Sequence, residues 1–368
     1  MLFHPYPNAF GLDIGDLSIK IVQLDNTTGH KRIPSFRLKA LRQITLPPGL
    51  IVNGEIQEPE KVRTYLQHLI SGKGEKKGAK PLGGKWVVGS LPEIHSFIKV
   101  IHLEKEARDV LDDDIVTLAK QHIPFDEEMY YLDWQILPPI SEGNTRILIG
   151  AAPKYIVDMY TYLIESLGLS ILSLEIEALA IARSLITADK LYAGEARAIL
   201  DVGATQSSLI IYDHETIQFS KTLPFSGELL TTAIMQGLKI GREEAEHIKR
   251  EYGVQYTKKY GKALSVIKDS LDIFLDTIEQ AFQFYYSHFP NTNKVTHMTM
   301  SGGATNTPYL TELLSQRLGI TCAPGRVWKN LGTHPGKIPN EETSLSLATA
   351  IGLALRAAEN PFNVHDMI

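Results

Sequence analysis

The sequence is poor in cysteine and has no long apolar run. Its 368 residues include one cysteine, Cys322, which excludes a disulfide framework and a cysteine-based zinc site. The longest mostly apolar stretch, residues 345–358, contains Ser, Thr, Gly and Arg and is shorter than the ~18–20 apolar residues that cross a bilayer. The N-terminal segment MLFHPYPNAF lacks the basic start and apolar core of a signal peptide. These absences predict a cytoplasmic protein that reaches a membrane only through a partner.

Several functional signatures are absent as well. The formal net charge is −5, so there is no basic footprint for nucleic acid or for an anionic membrane. The twelve histidines show no HExxH or paired spacing, and no GxSxG elbow is present. The Gly/Lys-rich segment 71–84 contains no GxxxxGK[ST] register and therefore predicts a solvated loop. We predict neither a metal-ligating histidine nor a P-loop nor a serine hydrolase.

Alternation and helical spacing predict a mixed α/β chain whose length suggests two domains or one elaborated domain. Strands are predicted over residues 10–25, 32–46, 85–90, 96–103, 129–137, 145–151, 169–174, 198–213 and 295–300. Helices are predicted over residues 59–70, 106–122, 154–167, 177–186, 229–239, 243–252, 264–289, 307–318 and 343–358. The strongest helical pattern has one apolar stripe, formed by Leu264, Ile267, Leu271, Phe274, Leu275, Ile278, Phe282 and Tyr285.

The chain contains a long-range internal repeat. GLDIGDLSIKIVQLD (residues 11–25) matches ILDVGATQSSLIIYD (residues 199–213), and each copy reads as a strand, a tight Asp-x-Gly turn and a second strand. Glycine lets the main chain approach a ligand, amide groups at a hairpin tip form an anion site, and Asp13 or Asp201 can hold a hard cation through water. One such hairpin is compatible with ordinary turn chemistry. Two hairpins that face each other would clamp a polyphosphate and its Mg²⁺ between two lobes.

The two hairpins and two further segments resemble a known superfamily. The two hairpins resemble the phosphate-1 and phosphate-2 loops of the actin/Hsp70/sugar-kinase superfamily. MSGGA (residues 300–304) resembles its adenosine loop, and TAIGLA (residues 349–354) resembles the small-residue helix that packs the lobes at the hinge. Within the superfamily the chain resembles the PilM family of actin-like type IV pilus assembly proteins, relatives of FtsA. The shared stretches are QHIPF (121–125), YLDW (131–134), GAAPK (150–154), LGL (167–169) and residues 223–231, 244–249 and 353–356.

The resemblance implies an α/β, two-lobe actin-like ATPase (ribonuclease H-like) fold with an FtsA/PilM-type α+β insertion subdomain. The implied parts are lobe 1 over residues 1–94, the inserted subdomain over 95–155, lobe 1 continued over 156–196, lobe 2 over 197–340 with a subdomain at about 226–294, and a C-terminal helix returning to lobe 1 with a tail over 341–368.

The resemblance also implies a site for ATP and Mg²⁺. Asp13 and Asp201 would hold Mg²⁺ through water, and Glu177 would orient the attacking water. Glu177 is equally compatible with a carboxylate that simply favours a helix N-terminus. The implied nucleotide-lining residues are Gly15, Asp16, Leu17, Ser18 and Lys20 in the first hairpin, Gly203, Ala204 and Thr205 in the second, Gly227 and Glu228 at the ribose, and Glu246, Lys249, Gly302, Gly303 and Asn306 at the adenosine.

Some positions depart from the family pattern. Asp16 stands where Ser or Thr is common, and a carboxylate there is expected to repel a polyphosphate by roughly 4 kcal/mol at 4 Å unless Mg²⁺ or Lys20 offsets it. Glu228 replaces the second Gly of a familiar pair. Glu246 and Lys249 lie one helical turn apart, so they are also compatible with a plain exposed ion pair. We expect nucleotide binding and at most slow ATPase activity.

The partner implied by the resemblance is the N-terminal cytoplasmic tail of a PilN-like inner-membrane protein. The tail would lie in a groove between lobe 1 and the insertion, and nucleotide would bias the groove through lobe closure. Self-association and the particular pilus, secretion or DNA-uptake machine stay open. One alternative is an FtsA-like division scaffold, although residues 361–368 are too short and not basic enough for an amphipathic membrane helix. The other is a small-molecule kinase, although no second-substrate site with a catalytic Asp is evident.

Overall fold

The two halves of the chain form β-sheets with the same order of strands. The computed structural model describes residues 5–28, 34–72, 80–122, 128–140, 144–188, 190–255, 261–332 and 335–359. The strands are β1 (Phe10–Gly15), β2 (Ser18–Asn26), β3 (Phe36–Thr45), β4 (Ile51–Val52), β5 (Glu55–Ile56), β6 (Trp86–Leu91), β7 (Phe97–Leu103), β8 (Tyr130–Leu137), β9 (Thr145–Pro153), β10 (Ser170–Ile176), β11 (Ala196–Val202), β12 (Ser207–Asp213), β13 (Thr216–Leu223), β14 (Val295–Ser301) and β15 (Thr321–Pro324). The helices are α1 (Pro59–Ser71), α2 (Asp112–His122), α3 (Lys154–Glu165), α4 (Glu177–Leu185), α5 (Gly227–Leu238), α6 (Arg242–Tyr252), α7 (Gly261–His288), α8 (Leu310–Leu318), α9 (Glu341–Ser344) and α10 (Ala348–Ala358).

The internal repeat extends beyond the two hairpins to whole sheets. The first sheet has the order β10-β6-β1-β2-β3, and the second begins β15-β14-β11-β12-β13. In each sheet three parallel strands are followed by two antiparallel ones. The first hairpin (β1–β2) and the second hairpin (β11–β12) therefore occupy equivalent central positions. The carboxyl ends of their neighbouring parallel strands meet at the same edge, where α/β sheets bind ligands.

The second sheet continues beyond β13 into β7, β9 and β8, and α2 lies between β7 and β8 in the chain. β13 is joined to β7 through the pair Phe219 and Lys99, and the order then runs β7-β9-β8. One face of these strands packs on α2 through Ile101, Ile147 and Ile115. Side chains on the opposite face enter the central core, as expected for strands covered on both sides.

Three apolar clusters build the layers of the molecule. The outer face of the first sheet packs on α1 and α3, and the second sheet packs on α5, α6, α7 and α8. Between the sheets, α4 and α10 share one cluster with strands of both. These buried surfaces provide most of the free energy of folding, at roughly 25 cal/mol per Å² of apolar area.

Close backbone approach explains the small residues of α10. A Cβ added to Gly352 would lie 1.8 Å from the carbonyl oxygen of Ala180 in α4. A Cβ on Gly11 of β1 would lie 2.5 Å from the amide nitrogen of Ala354. The helix therefore lies against both α4 and β1 at distances that larger residues would prevent.

Most predicted elements are confirmed, including the buried apolar stripe of α7 from Ile267 to Tyr285. Cys322 is a buried small side chain. The sequence prediction missed the short strands β4, β5 and β15 and also β13, whose alternating pattern was not recognised. Short strands carry little periodic signal, because a few residues fit several patterns.

Three predicted helix boundaries were wrong. The helix predicted from 106 begins at Asp112, because a 3₁₀ turn precedes it and the Asp114 carboxylate accepts from the Leu111 amide at 3.0 Å. The helix predicted from 307 begins at Leu310, after Tyr309 at φ 64°. The segment predicted as one helix over 343–358 is α9, a 3₁₀ turn and α10.

Some sequence-based predictions fall on residues outside the described ranges. They concern residues 123–125 of the QHIPF stretch, 73–79 of the Gly/Lys-rich loop, 361–368 at the C-terminus and the side chain of Leu264. The predicted division into lobes and an inserted subdomain stays a prediction. No helix within the described ranges is both long enough and apolar enough to cross a membrane.

Candidate functional site

A cavity of about 850 Å³ lies at the carboxyl ends of the parallel strands of both sheets. The first hairpin forms one side of the cavity, the second hairpin forms another side, and the segment after β14 forms a third side. Every site residue predicted from the sequence lines this cavity: Asp13, Gly15, Asp16, Leu17, Ser18, Lys20, Glu177, Asp201, Gly203, Ala204, Thr205, Gly227, Glu228, Glu246, Lys249, Gly302, Gly303 and Asn306.

Lys20 and the two repeat aspartates lie at the centre of the cavity. Asp13 and Lys20 are cross-strand partners, and the Lys20 Nζ lies 2.8 Å from the Asp13 Oδ2. Burial by itself lowers the pKa of Lys20, but attraction to Asp13, Glu177 and Asp201 outweighs burial, so its pKa is raised. Burial raises the pKa of Asp201, although a hydrogen bond from Ser301 Oγ at 2.7 Å opposes the shift. Lys20 therefore stays charged while facing more than one acid.

Glu177 is the first residue of α4 and lies beside this group. Burial raises its pKa well above the usual value, and repulsion from Asp13, Asp201 and Glu93 raises it further. Thr349 Oγ1 donates to Glu177 Oε1 at 3.1 Å. Its expected role in orienting a water stays a prediction.

Glu93 is a functional candidate that the sequence analysis missed. It follows β6, lines the cavity and is 6% exposed. Its carboxylate accepts from the Ala178 amide at 3.1 Å and from the Ser220 hydroxyl. Burial raises the pKa of Glu93 to about 7 against these hydrogen bonds. The sequence feature that could have identified Glu93 is its position directly after a buried strand, because parallel sheets present functional side chains there.

The donor set of the cavity suits a divalent cation with a polyphosphate. Asp13, Asp201 and Glu177 all attract Lys20, and Glu93 acts on Glu177, so the group carries more acid than base. Oxygen donors of this type are those that Mg²⁺ prefers. Within the described ranges, no three His, Cys, Asp or Glu side chains converge on a common point suited to direct metal ligation.

The second hairpin forms a cradle of main chain. A Cβ on Gly203 would lie 2.6 Å from the carbonyl oxygen of Gln206, and the Gly203 amide donates to that oxygen at 2.8 Å. The Ser207 hydroxyl, which belongs to the cavity lining, is buried and has no hydrogen-bond partner among the described residues. An orphaned donor beside a narrow tip fits a ligand with acceptor oxygens.

Asp16 lies at the tip of the first hairpin and is nearly buried. Its two carboxylate oxygens accept from the amides of Asn53 at 3.0 Å and Gly54 at 2.9 Å. These residues form the turn between β4 and β5, with φ of 52° and 78°. An Asn-Gly pair is typical of such a two-residue turn, and the sequence analysis did not use it. The expected repulsion of a polyphosphate by Asp16 stays a prediction, but its carboxylate is held by a neighbouring turn.

The N-terminus of α5 docks on the second hairpin. The amides of Gly227 and Glu228 donate to the carbonyl oxygens of Gly203 at 3.1 Å and Ala204 at 2.8 Å. The Glu228 carboxylate pairs with Arg242, with a nitrogen-to-oxygen distance of 2.8 Å. Glu228 is therefore a paired residue at the rim.

Glu246 and Lys249 are part of a network and not a plain exposed pair, so that interpretation was wrong. The Lys249 Nζ lies 2.7 Å from Glu246 Oε1, 2.8 Å from Thr231 Oγ1 and 3.0 Å from the Gly227 carbonyl oxygen. Burial raises the pKa of Glu246, but the hydrogen bonds and charge of its partners outweigh burial and lower it. The network ties α6 to the start of α5.

The segment after β14 presents main chain to the cavity. Gly302 has φ 85°, and a Cβ there would lie 2.2 Å from the Val202 carbonyl oxygen. The nearest described atom to a Cβ on Gly303 would be 3.8 Å away. Asn306 Nδ2 donates to the Glu342 carbonyl oxygen at 3.0 Å. This wall is open enough for a flat ligand to lie against it.

A second, smaller concavity, here called the groove, lies beside the start of β7, the start of β8 and the end of β9. It measures about 360 Å³ and is lined by Ile94, His95, Ser96, Phe97, Met129, Tyr130, Pro153 and Tyr155. Ile94, Met129 and Tyr155 are exposed apolar or aromatic side chains. Such residues gathered around a groove are typical of a binding surface.

Comparisons with known proteins agree with this architecture. Residues 11–358 match the family model described as Type IV pilus assembly protein PilM. A chain of the PilM-PilN type IV pilus biogenesis complex superposes with a TM-score of 0.78 at 23% identity, covering 96% of this chain and 100% of that one. MreB5 of Spiroplasma citri bound to AMPPNP superposes with a TM-score of 0.53 at 12% identity, covering 99% and 100%. These likenesses confirm the predicted actin-like α/β fold.

Curated relatives lie in the division protein family. FtsA of Streptococcus pneumoniae serotype 2 is 22% identical over 264 residues, covering 67% of this chain and 56% of the relative. FtsA of Enterococcus faecalis is 22% identical over 267 residues, covering 68% and 59%. The chain thus spans somewhat more than half the length of these two relatives.

Proposed function

Because the chain belongs to the PilM family of type IV pilus assembly proteins, we propose that it is a nucleotide-responsive scaffold of type IV pilus assembly or of a related secretion or DNA-uptake machine. In this role the cavity binds ATP with Mg²⁺, and the groove binds the N-terminal tail of a PilN-like inner-membrane protein. The observation that carries the proposal is that both Asp-x-Gly hairpins line one cavity. The scaffold role requires binding and does not require turnover.

The acids and Lys20 account for the phosphate end. Asp13 and Asp201, which line the cavity, would hold the cation through water, and Lys20 would meet a phosphate as a point charge. A divalent cation supplies positive charge that offsets the repulsion among Asp13, Asp201, Glu177 and Glu93. The raised pKa values of Glu177, Glu93 and Asp201 support this assignment, because burial, followed by repulsion from neighbouring acids, disfavours the charged form of each, and a cation would favour it.

Main chain and paired side chains account for the nucleoside end. The backbone of Gly302 and Gly303 would lie against the base, and Gly227, which also lines the cavity, would border the ribose. Glu246 and Lys249 form the opposite wall, where their mutual hydrogen bond fixes both side chains. A fixed wall reduces the entropy lost when the ligand binds.

The groove suits a short extended peptide with apolar side chains. Its exposed Ile94, Met129 and Tyr155 provide apolar contacts for such a peptide. Glu55, beside Tyr155, adds an acidic group. The superposed solved chain forms part of a PilM-PilN complex, which supports a PilN-like tail as the ligand. Such a tail would bring the scaffold to the inner membrane.

Thermal unfolding with and without ATP-Mg²⁺ tests the cavity. Ligand at ~100 times its Kd adds about 2.7 kcal/mol to the free energy of unfolding and raises Tm. Asp13→Ala and the volume-conserving Asp13→Asn are expected to abolish the rise, while Asp276→Ala, on the exposed face of α7, is expected to keep it. No rise in the wild type, or a full rise in both Asp13 variants, contradicts the proposal.

Fluorescence anisotropy of a labelled PilN-like tail peptide tests the groove. Met129→Asp places a charge in the groove and is expected to weaken binding about tenfold or more, which corresponds to about 1.4 kcal/mol. Ile140→Asp, an exposed apolar position outside the groove, serves as the matched control. Equal binding by both variants excludes the groove as the site of the tail. Absence of binding by the wild type, with and without ATP-Mg²⁺, excludes the tail as a ligand.

A further inference from the structure

A short hydrogen-bonded path joins the cavity to the groove. Asp16, which lines the cavity, accepts from the amides of Asn53 at 3.0 Å and Gly54 at 2.9 Å. On the other side of this turn, His95 Nε2 lies 2.8 Å from the Asn53 carbonyl oxygen. Because a carbonyl only accepts, Nε2 carries the proton. His95 lines the groove, so two hydrogen-bond steps connect the two binding regions.

The strand after the turn makes a second contact with the groove wall. Glu55 Oε1 accepts from the Tyr155 hydroxyl at 2.8 Å and lies 3.8 Å from His95 Nε2. The rings of His95 and Tyr155 meet edge to face with centroids 6.3 Å apart. A displacement of the turn therefore moves two side chains that line the groove.

The turn is held too tightly to absorb such a displacement by itself. A Cβ on Gly54 would lie 2.4 Å from Pro92, and the Tyr160 hydroxyl donates to the Gly54 carbonyl oxygen at 3.0 Å. Pro92 lines the cavity, and His95 of the same segment lines the groove. Closely packed elements of this kind shift together rather than deform.

We propose that Asp16 is a positioning residue that couples the cavity to the groove through the Asn53–Gly54 turn. The proposal rests on the proposed function and names the regulation of the same site. Phosphates in the cavity repel the Asp16 carboxylate towards the two amides, which strengthens its charge-assisted hold on the turn. The ordered turn fixes His95 and Glu55, and the groove binds its peptide more tightly. Coupling of this kind is reciprocal, so the peptide also tightens nucleotide binding.

The test measures the coupling factor in the full-length chain. Anisotropy gives the Kd of the PilN-like tail peptide with and without saturating ATP-Mg²⁺, and titration of ATP-Mg²⁺ with and without saturating peptide gives the reciprocal factor. In the wild type we expect ATP-Mg²⁺ to tighten the peptide about fivefold or more, with the same factor in the reciprocal measurement. Asp16→Ala is expected to bring the factor to about one, and Asp16→Asn, which keeps one acceptor oxygen, to retain part of it.

Two further variants separate coupling from general damage. His95→Phe keeps an aromatic ring in the groove wall but cannot donate to Asn53, so it is expected to lower the factor without any change at Asp16. Asp276→Asn, an exposed carboxylate on α7, is expected to keep the wild-type factor.

The outcomes that overturn the inference differ from those that overturn the proposed function. A wild-type factor of one with both ligands bound, or a full factor in Asp16→Ala, overturns the coupling through Asp16. Either result leaves intact the proposed binding of ATP-Mg²⁺ in the cavity and of the peptide in the groove. Tighter ATP binding by Asp16→Ala with an unchanged coupling factor would show that Asp16 only repels phosphate. That result also overturns the coupling. Failure of either ligand to bind the wild type overturns the proposed function and the coupling with it.

Discussion

Single carboxyl groups around the cavity lie in surroundings that penalise their charge. Glu177, Glu93 and Asp201 all have raised pKa values for which burial is the largest cause. Lys20 is the cation in contact with Asp13, and its own raised pKa reflects the surrounding acids. Such an arrangement stores unfavourable electrostatic energy, which is typical of functional sites and which a bound cation would relieve.

Glu93→Gln is expected to flatten the dependence of stability on pH. The pKa of Glu93 is raised from 4.5 to about 7, so its contribution to stability is present below the unfolded pKa and is lost as pH rises through the folded one. The loss is on the order of 3 kcal/mol. Glutamine stays neutral, and the variant is therefore expected to be more stable than the wild type at about pH 8 and similar at about pH 4.5.

Thermal unfolding without nucleotide over this pH range gives the measurement. Glu279→Gln, on the exposed face of α7, controls for the loss of one surface charge. Parallel Tm profiles for Glu93→Gln and the wild type would show that this carboxyl group does not titrate as described.

At the scale of elements, the crossing of α4 and α10 depends on a glycine. Gly352→Ala would place a Cβ 1.8 Å from the Ala180 carbonyl oxygen, so the two helices must separate. Overpacking of this kind costs about 1–3 kcal/mol, and the better helix propensity of alanine, about 1 kcal/mol, offsets part of it. We expect Tm to fall and the free energy of unfolding to drop by up to about 2 kcal/mol.

Chemical denaturation of Gly352→Ala beside Gly83→Ala provides the comparison. A Cβ on Gly83 meets no atom within 4 Å, so this control is expected to match the wild type. Equal stability of the two variants would mean that the helices adjust without cost.

Elements with strong periodicity were predicted well, and those set by distant contacts were not. The stripe of α7 places seven predicted apolar residues in the core, because helical spacing is a local property. β13 lies between β12 and β7, and the pair of β13 with β7 joins segments more than a hundred residues apart. The local sequence of β13 does not predict which strand pairs with it.

At the scale of the whole molecule, the cavity lies between sheets joined by one shared core. α4 and α10 pack against strands from both sheets, while the two hairpins line the cavity. A ligand held by both hairpins therefore contacts both sheets at once. Closure around it would be a hinge movement at the small-residue contacts of α10 with α4 and β1.

The sequence alone determined the paired Asp-x-Gly hairpins, the residues that line the cavity and the family, because these depend on residue types at short spacing. Only the tertiary structure decided that Glu93 joins the acids, that Asp16 holds the Asn53–Gly54 turn, and that the strand order of the first sheet recurs in the second. Those features arise where segments distant along the chain are packed together, and contacts of that kind leave no periodic trace in the sequence.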